Sequence, residues 1–253
     1  MNTIKLCCKN KPFMIAHRGC SGLERENTAA AFVAAGNRTY FGIETDVHRT
    51  LDGKYIIIHD DDTKRVAIDK LTVEESTFDT LRGLTLLNKF SEQKDRADLV
   101  LPSLEEYIAI CKKYEKKAVL ELKNPFGEED ICAICRIIEE MDYLGEVIFI
   151  SFCYENLVFL RKHYPKQPAQ YLVSSFNDGL IDKLKAQSLD LDIHYKALSA
   201  ERVALCHQNG IKVNTRGVDM TEASEMLASI GTRERVEHAH RRILRALLPL
   251  LSL

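Results

Sequence analysis

Seven short apolar runs, at residues 13–16, 42–47, 118–122, 147–151, 169–173, 189–193 and 211–214, recur along the chain, with stretches of helical periodicity between them, such as 27–35, 104–114, 130–141, 155–163 and 200–209. Parallel strands cannot be joined by tight turns. They need a crossover of a dozen or more residues, usually a helix, so this alternation dictates a mostly parallel sheet, open or closed, covered by helices. With 253 residues, 45% of them apolar, the chain can bury one large core, and disordered, collagen-like and coiled-coil organisations are excluded. A single α/β barrel runs to ~250 residues, so one domain already accounts for the length. Ser103 and Glu106 have capping-box spacing at the start of one helical stretch, and Gly36 and Gly210 follow two others, where a left-handed residue ends a helix.

One segment interrupts the alternation. After Val47 the chain reads HRTLDGKYIIIHD, and Asp52-Gly53 between two extended runs signals a hairpin with no room for a crossover helix. Such an excursion rises from the carboxyl edge of the sheet and returns there, which brings His59 back toward Glu44 and Asp46. Residues 63–98 are polar and mixed, and read as a small insertion of helices and loops.

Charge and targeting signals narrow the function classes. The 35 Lys and Arg against 37 Asp and Glu leave a formal charge of −2, which offers no basic field for nucleic acid. The amino terminus lacks a basic start followed by an apolar run of signal-peptide length, and no stretch reaches the ~18 apolar residues of a membrane span. The expectation is a cytoplasmic protein without stable membrane anchoring. Eight scattered cysteines in a chain of this length are expected as reduced thiols, and Cys132 and Cys135 read as helix cysteines, because no second CxxC accompanies them.

The residues that carry chemistry cluster at strand ends. Residues two apart on a strand share a face, so Glu44 and Asp46 project together, as do Glu121 and Lys123. Charges on a buried parallel strand are expensive unless they are paired or bind a metal. Each pair taken alone is equally well an edge charge or an ordinary ion pair, but three carboxylates at one rim make an oxygen-rich site suited to a hard divalent cation, Mg²⁺ or Ca²⁺. His17 and Arg18 end the first strand, and His59 ends the hairpin. Two imidazoles can move protons on and off a phosphodiester near neutral pH, while Arg18 and Lys123 hold the phosphoryl oxygens.

Taken in order, HRGCSGLERENTAAAF, GIETDVHRTLDGKYIIIHDD and LELKNP resemble the glycerophosphodiester phosphodiesterase family, with its HRG, ENT, E-x-D, DG turn, HD and E-x-K. The likeness is close over roughly the first half of the chain and weaker in VIFISF and IKVNT. It implies a TIM (β/α)8-type barrel, with the hairpin extension and small insertion after the second strand, that hydrolyses glycerophosphodiesters such as glycerophosphocholine and glycerophosphoethanolamine to glycerol 3-phosphate and an alcohol. By matching position it implies His17 and His59 as the acid/base pair, Glu44, Asp46 and Glu121 as ligands of one divalent cation (Mg²⁺ or Ca²⁺, with Mn²⁺ as a further candidate), and Arg18 and Lys123 as phosphate contacts. Glu26 and Asn27 match the ENT and are expected to support the rim.

The carboxyl end departs from that family. The chain has no Trp, whereas the family's seventh strand continues into a tryptophan-containing segment, and no run resembling the family's final strand follows. Five arginines against two glutamates between residues 233 and 245, then LLPLLSL, form a basic and apolar end. The expected organisation is therefore a barrel domain over residues 1–231 with its last strand atypical or missing, and a tail over 232–253 that is helical or partly disordered. Two other readings stand beside the leading one. A phospholipase of the phosphoinositide-specific or D type would show an apolar rim at the mouth, and a catalytically impaired phosphate-binding barrel would follow from a spoiled closure.

Overall fold

Every one of the seven apolar runs forms a strand in the computed structural model, which describes residues 13–218 and 234–237. They are β1 (Phe13–Ala16), β2 (Gly42–Arg49), β4 (Lys117–Leu122), β5 (Val147–Ser151), β6 (Ala169–Val173), β7 (Asp190–His194) and β8 (Val213–Val218). Neighbours pair in parallel in the order β1–β2–β4–β5–β6–β7–β8, and β3 (Tyr55–Ile57) pairs antiparallel with β2 as the expected hairpin. Gly53, at φ +74°, sits in the hairpin turn in a conformation that few other residues adopt.

The barrel closes. Of the two alternatives for the last strand, atypical or missing, the structure contains the atypical one: β9 (Glu234–Glu237) pairs in parallel with β8 on one side and β1 on the other. Its sequence, ERVE, has a single apolar residue, so no hydrophobic run marks it. What holds it is backbone pairing along both edges, which leaves no open edge in the ring. The β8–β9 register shifts between Thr215 and Val218, the one irregular seam among the pairings of the ring. The rest of the expected tail lies outside the described residues.

Helices fill the crossovers: α1 (Ala29–Gly36), α3 (Leu104–Lys113), α4 (Glu128–Glu140), α5 (Tyr154–His163), α6 (Leu180–Ala186) and α7 (Ala200–Gln208), with a short α2 (Phe78–Arg82) in the insertion. Their inward residues, including Phe32, Ile108, Ile134, Leu160 and Leu184, pack on the outward residues Ile43, Val47, Leu120, Phe149 and Leu191 of the strands as one continuous core. Burying each such side chain is worth about 1.5–3 kcal/mol. The capping box forms, with Glu106 N–H donating to Ser103 Oγ at 3.1 Å and Ser103 N–H to Glu106 Oε2 at 2.8 Å. Gly210 takes the expected left-handed conformation at φ +73°. Gly36 does not: it is the last helical residue of α1, and a glycine is needed there because a Cβ would lie 2.5 Å from the Tyr114 ring.

The insertion is better packed than its composition suggests. Val66, Ala67, Val73, Leu81, Leu86, Leu99 and Leu101 bury against Ile56 and Ile58, forming a second small core beside the hairpin. Among the described residues, no helix is long and apolar enough to cross a membrane. Cys135 is buried and Cys132 half-buried on α4, both free thiols, and burial pushes the Cys135 thiol up to about 12.

Candidate active site

Strand alternation decides what points into the barrel. Ile43 and Val47 of β2, like Ala118, Leu120 and Leu122 of β4, pack outward on the helices, so Glu44, Asp46 and Glu121 face the interior. Pairing sets Asp46 directly beside Glu121 across the β2–β4 ladder. A floor of Ile15, Val119, Ile148, Ile150 and Leu172 fills the lumen. The carboxylates sit near the carboxyl ends of their strands, the face on which such barrels carry their sites.

The three acids converge: one carboxylate oxygen from each lies within 4.8 Å of the others, and all three residues are buried. Two cations lie among them. Lys123 Nζ is 3.0 Å from Glu121 Oε1 and 3.7 Å from Asp46 Oδ1, and Arg18 Nε is 3.5 Å from Asp46 Oδ2. Asp46 Oδ1 and Glu121 Oε1 nevertheless lack a hydrogen-bond partner, Lys123 being close to both but outside bonding geometry. Burial and the neighbouring Asp46 push the Glu121 carboxyl up to about 7 and the Glu44 carboxyl well above the usual carboxylate range. Burial alone would lower Lys123 and Arg18, but the carboxylates around them hold both above their ordinary values. Three buried acids against two side-chain cations, with two carboxylate oxygens left without a hydrogen-bond partner, form a donor set that could hold a metal ion.

The loop after β1 wraps the outer side of this cluster. Arg18 has φ +53°, an uncommon conformation for a branched-free but bulky residue, and it turns the Arg18 amide onto Glu44 Oε2 at 2.8 Å. Gly19 follows at φ +72°, where a Cβ would lie 2.6 Å from the Ala31 backbone. His17 Nε2 stands 4.0 Å from Glu44 Oε2. Asn27 is an anchor: its amide donates to Asp46 Oδ2 at 2.8 Å and its carbonyl accepts from Thr45 Oγ1 at 2.8 Å. Glu26 accepts from Arg18 Nη1 at 2.7 Å.

The hairpin returns as expected. Ile58 N–H donates to the Asp46 carbonyl at 3.1 Å, which brings His59 beside β2. His59 Nδ1 lies 2.6 Å from Asp60 Oδ1, and the His59 carbonyl lies 3.4 Å from Nε2 of the buried His48. Burial lowers the His48 imidazole below its ordinary value. The structure thus brings the carboxylates, Arg18 and Lys123 together at one end of the lumen, with His17 and His59 on the two loops that border it.

The far wall of the lumen carries polar residues that lie outside the sequence motifs. Asp192, fully buried on β7, accepts from Asn214 Nδ2 at 2.5 Å and from Arg216 Nη1 at 3.0 Å. Asn214 also donates to Gln170 at 3.0 Å, and the Arg216 guanidinium lies 4.8 Å from the Phe152 ring. The signal for them was present: Asp192, Asn214 and Arg216 occupy inward positions by the same two-residue alternation that singled out Glu44 and Asp46. His48 and the contacts of Arg65 with Asp60 and Glu26 are also additions, and the Glu26 contact, 39 positions away, has no signal in local spacing.

Residues 17–233 match the glycerophosphoryl diester phosphodiesterase family. A glycerophosphodiester phosphodiesterase of Caldanaerobacter subterraneus subsp. tengcongensis is 29% identical over 230 residues, covering 87% of this chain and 91% of the relative. One from Bacillus subtilis is 27% identical, covering 78% of this chain and 73% of the relative. The structure of an Oleispira antarctica phosphodiesterase in complex with the product sn-glycerol-3-phosphate aligns with a TM-score of 0.83 at 26% identity, covering 94% of this chain and 97% of that one.

Proposed function

The chain belongs to the glycerophosphoryl diester phosphodiesterase family, and on that premise we propose that it hydrolyses glycerophosphodiesters to glycerol 3-phosphate and an alcohol, with His17 and His59 as the acid/base pair. The observation that carries the reading is the convergence of three buried carboxylates within 4.8 Å at the barrel mouth, with Arg18 and Lys123 among them. Glu44, Asp46 and Glu121 would hold one divalent cation, Mg²⁺ or Ca²⁺ with Mn²⁺ as a further candidate. When bound, it supplies positive charge against the phosphoryl oxygens.

The remaining chemistry belongs to the chain itself. Arg18 and Lys123 draw the phosphoryl oxygens in and neutralise charge as it builds on them. One imidazole takes the proton of the attacking hydroxyl and the other returns a proton to the leaving alkoxide; attack by water gives glycerol 3-phosphate directly, whereas attack by the glycerol 2-hydroxyl gives a cyclic phosphodiester that water then opens with the two proton roles exchanged. For His59 the Asp60 carboxylate, which can only accept, fixes the hydrogen on Nδ1 and makes Nε2 the nitrogen that exchanges protons. The hydrophobic floor beneath the carboxylates keeps bulk water away from the charges.

The test is divalent-dependent release of glycerol 3-phosphate from glycerophosphocholine, followed with a coupled dehydrogenase. Wild-type protein is expected to release it with Mg²⁺, Ca²⁺ or Mn²⁺, and His17→Ala to lose about 10²- to 10⁴-fold in kcat. Folded protein that releases none with any of the three ions, or a fully active His17→Ala, overturns the reading.

A further inference from the structure

The insertion after β3 sends one side chain back to the barrel mouth. Arg65 donates through Nε to Asp60 Oδ2 at 2.6 Å, and through Nη1 and Nη2 to Glu26 Oε2 and Oε1 at 2.8 and 2.9 Å. All three guanidinium nitrogens are engaged, in a fork that no other side chain can reproduce. The two carboxylates it joins belong to different loops. Asp60 lies against His59 Nδ1 at 2.6 Å, and Glu26 accepts from Arg18 Nη1 at 2.7 Å. A continuous chain of charge-assisted contacts therefore runs from His59 through Asp60, Arg65 and Glu26 to Arg18.

We propose that Arg65 is a positioning residue, which through Asp60 orients the His59 imidazole and through Glu26 orients the Arg18 guanidinium. One side chain of the insertion thereby sets an acid/base group and a phosphate-binding cation in fixed relation to each other. The inference rests on the reading of His59 as an acid/base group and of Arg18 as a phosphate contact.

Three features distinguish this contact from an ordinary surface pair. An isolated exposed pair contributes little and holds nothing in place, but here each carboxylate is shared between Arg65 and a second group at the mouth. Burial opposes ionisation of Glu26 and Asp60, yet the Arg65 hydrogen bonds and the adjoining Arg18 and His59 hold both carboxyls down to about 2, so both stay ionised acceptors for the Arg65 fork. The backbone that carries the half-exposed Arg65 is also held. Val66 and Ala67, the next two residues, are buried in the small core of the insertion, and their amides donate to the Thr63 carbonyl at 3.1 and 2.7 Å. A donor fork presented from a rigid turn loses little entropy when it binds, which is what a positioning group requires.

The experiment is a pair of double-mutant cycles on glycerophosphocholine at saturating divalent ion. Arg65→Ala is expected to lower kcat by about 10- to 100-fold, the usual cost of removing an orienting partner. In a His59→Ala background the same substitution should lower kcat by less than about threefold, because there is no longer an imidazole to orient. Arg65→Ala is also expected to raise KM, and that increase should disappear in an Arg18→Ala background. Millimolar methylguanidine should restore part of the activity of Arg65→Ala and none of that of His59→Ala. Circular dichroism establishes that each variant is folded. Should Arg65→Ala fail to fold, Arg65→Lys, which keeps the charge and stem but loses the fork, is expected to give the same pattern. Equal losses of kcat in the two His59 backgrounds, or wild-type kinetics for Arg65→Ala, overturn the inference. A fully active His59→Ala would instead overturn the acid/base reading on which it rests, and is recognised before any Arg65 variant is measured.

Discussion

The two walls of the barrel lumen carry the same kind of residue in opposite states. On β6, β7 and β8, the buried Asp192 is saturated, with one oxygen on Arg216 and the other on Asn214. On β2 and β4, Asp46 and Glu121 keep orphaned oxygens despite Arg18 and Lys123 beside them, and Glu44 and Glu121 are pushed toward their protonated forms. A buried acid with a full set of partners stabilises the fold. A buried acid left short of partners destabilises it, and persists where another ligand completes it. The contrast separates a structural wall from a candidate cation site without reference to any relative.

Removing a carboxylate from each wall should give opposite results. The largest effect belongs to Glu121→Gln, which is expected to reduce divalent-dependent activity by about 10²- to 10³-fold, the equivalent of several kcal/mol of charge stabilisation. The same change should raise the unfolding temperature of the metal-free protein, because it relieves burial of a charge beside Asp46. Asp192→Ala is expected to lower stability by about 3 kcal/mol, since it strands Arg216 as a largely buried charge. Thermal unfolding of both variants without added metal checks the contrast, and a Glu121→Gln protein less stable than the wild type would break it.

A smaller effect follows from protonation. A carboxyl whose folded pKa is raised holds a proton that the unfolded chain has already released, so the stability it contributes is complete below about 4.5 and is lost as pH rises toward about 7. Metal binding has the reverse dependence, because the cation must displace that proton. From this carboxyl, affinity for Mg²⁺ is expected to weaken by about fivefold between pH 7 and pH 6, with release on binding of about half a proton at pH 7 and nearly one at pH 6. Calorimetry in buffers of different ionisation enthalpy measures both, and a pH-independent affinity would place the raised carboxyl outside the cation site.

Legibility in the sequence followed the range of the interaction. The bounds of β5 and β6 match the apolar runs at 147–151 and 169–173, because β-branched and aromatic runs between polar helices leave little choice. Gly36 was legible as a glycine with a purpose but not as the right one, since the Tyr114 ring that excludes a Cβ belongs to a residue far along the chain. β9 was not legible at all, because nothing in ERVE announces a strand and the pairing is made by backbone atoms common to every residue. At the site, motif order pointed to the seven residues, whereas Arg65 was invisible because its partner Glu26 lies 39 positions away.

By itself, the sequence determined the parallel α/β organisation, the hairpin that returns His59 to the rim, and the inward direction of Glu44, Asp46 and Glu121. Each of these follows from local periodicity, turn chemistry and strand alternation, which act over a few residues. Only the tertiary structure decided that the ring closes through a polar strand, that one wall of the lumen is saturated while the other is left short of partners, and that the insertion reaches back to tie two loops together. Those outcomes depend on which distant groups meet. Hydrogen bonds and ion pairs between them are set by the final packing, and no pattern of neighbouring residues encodes them.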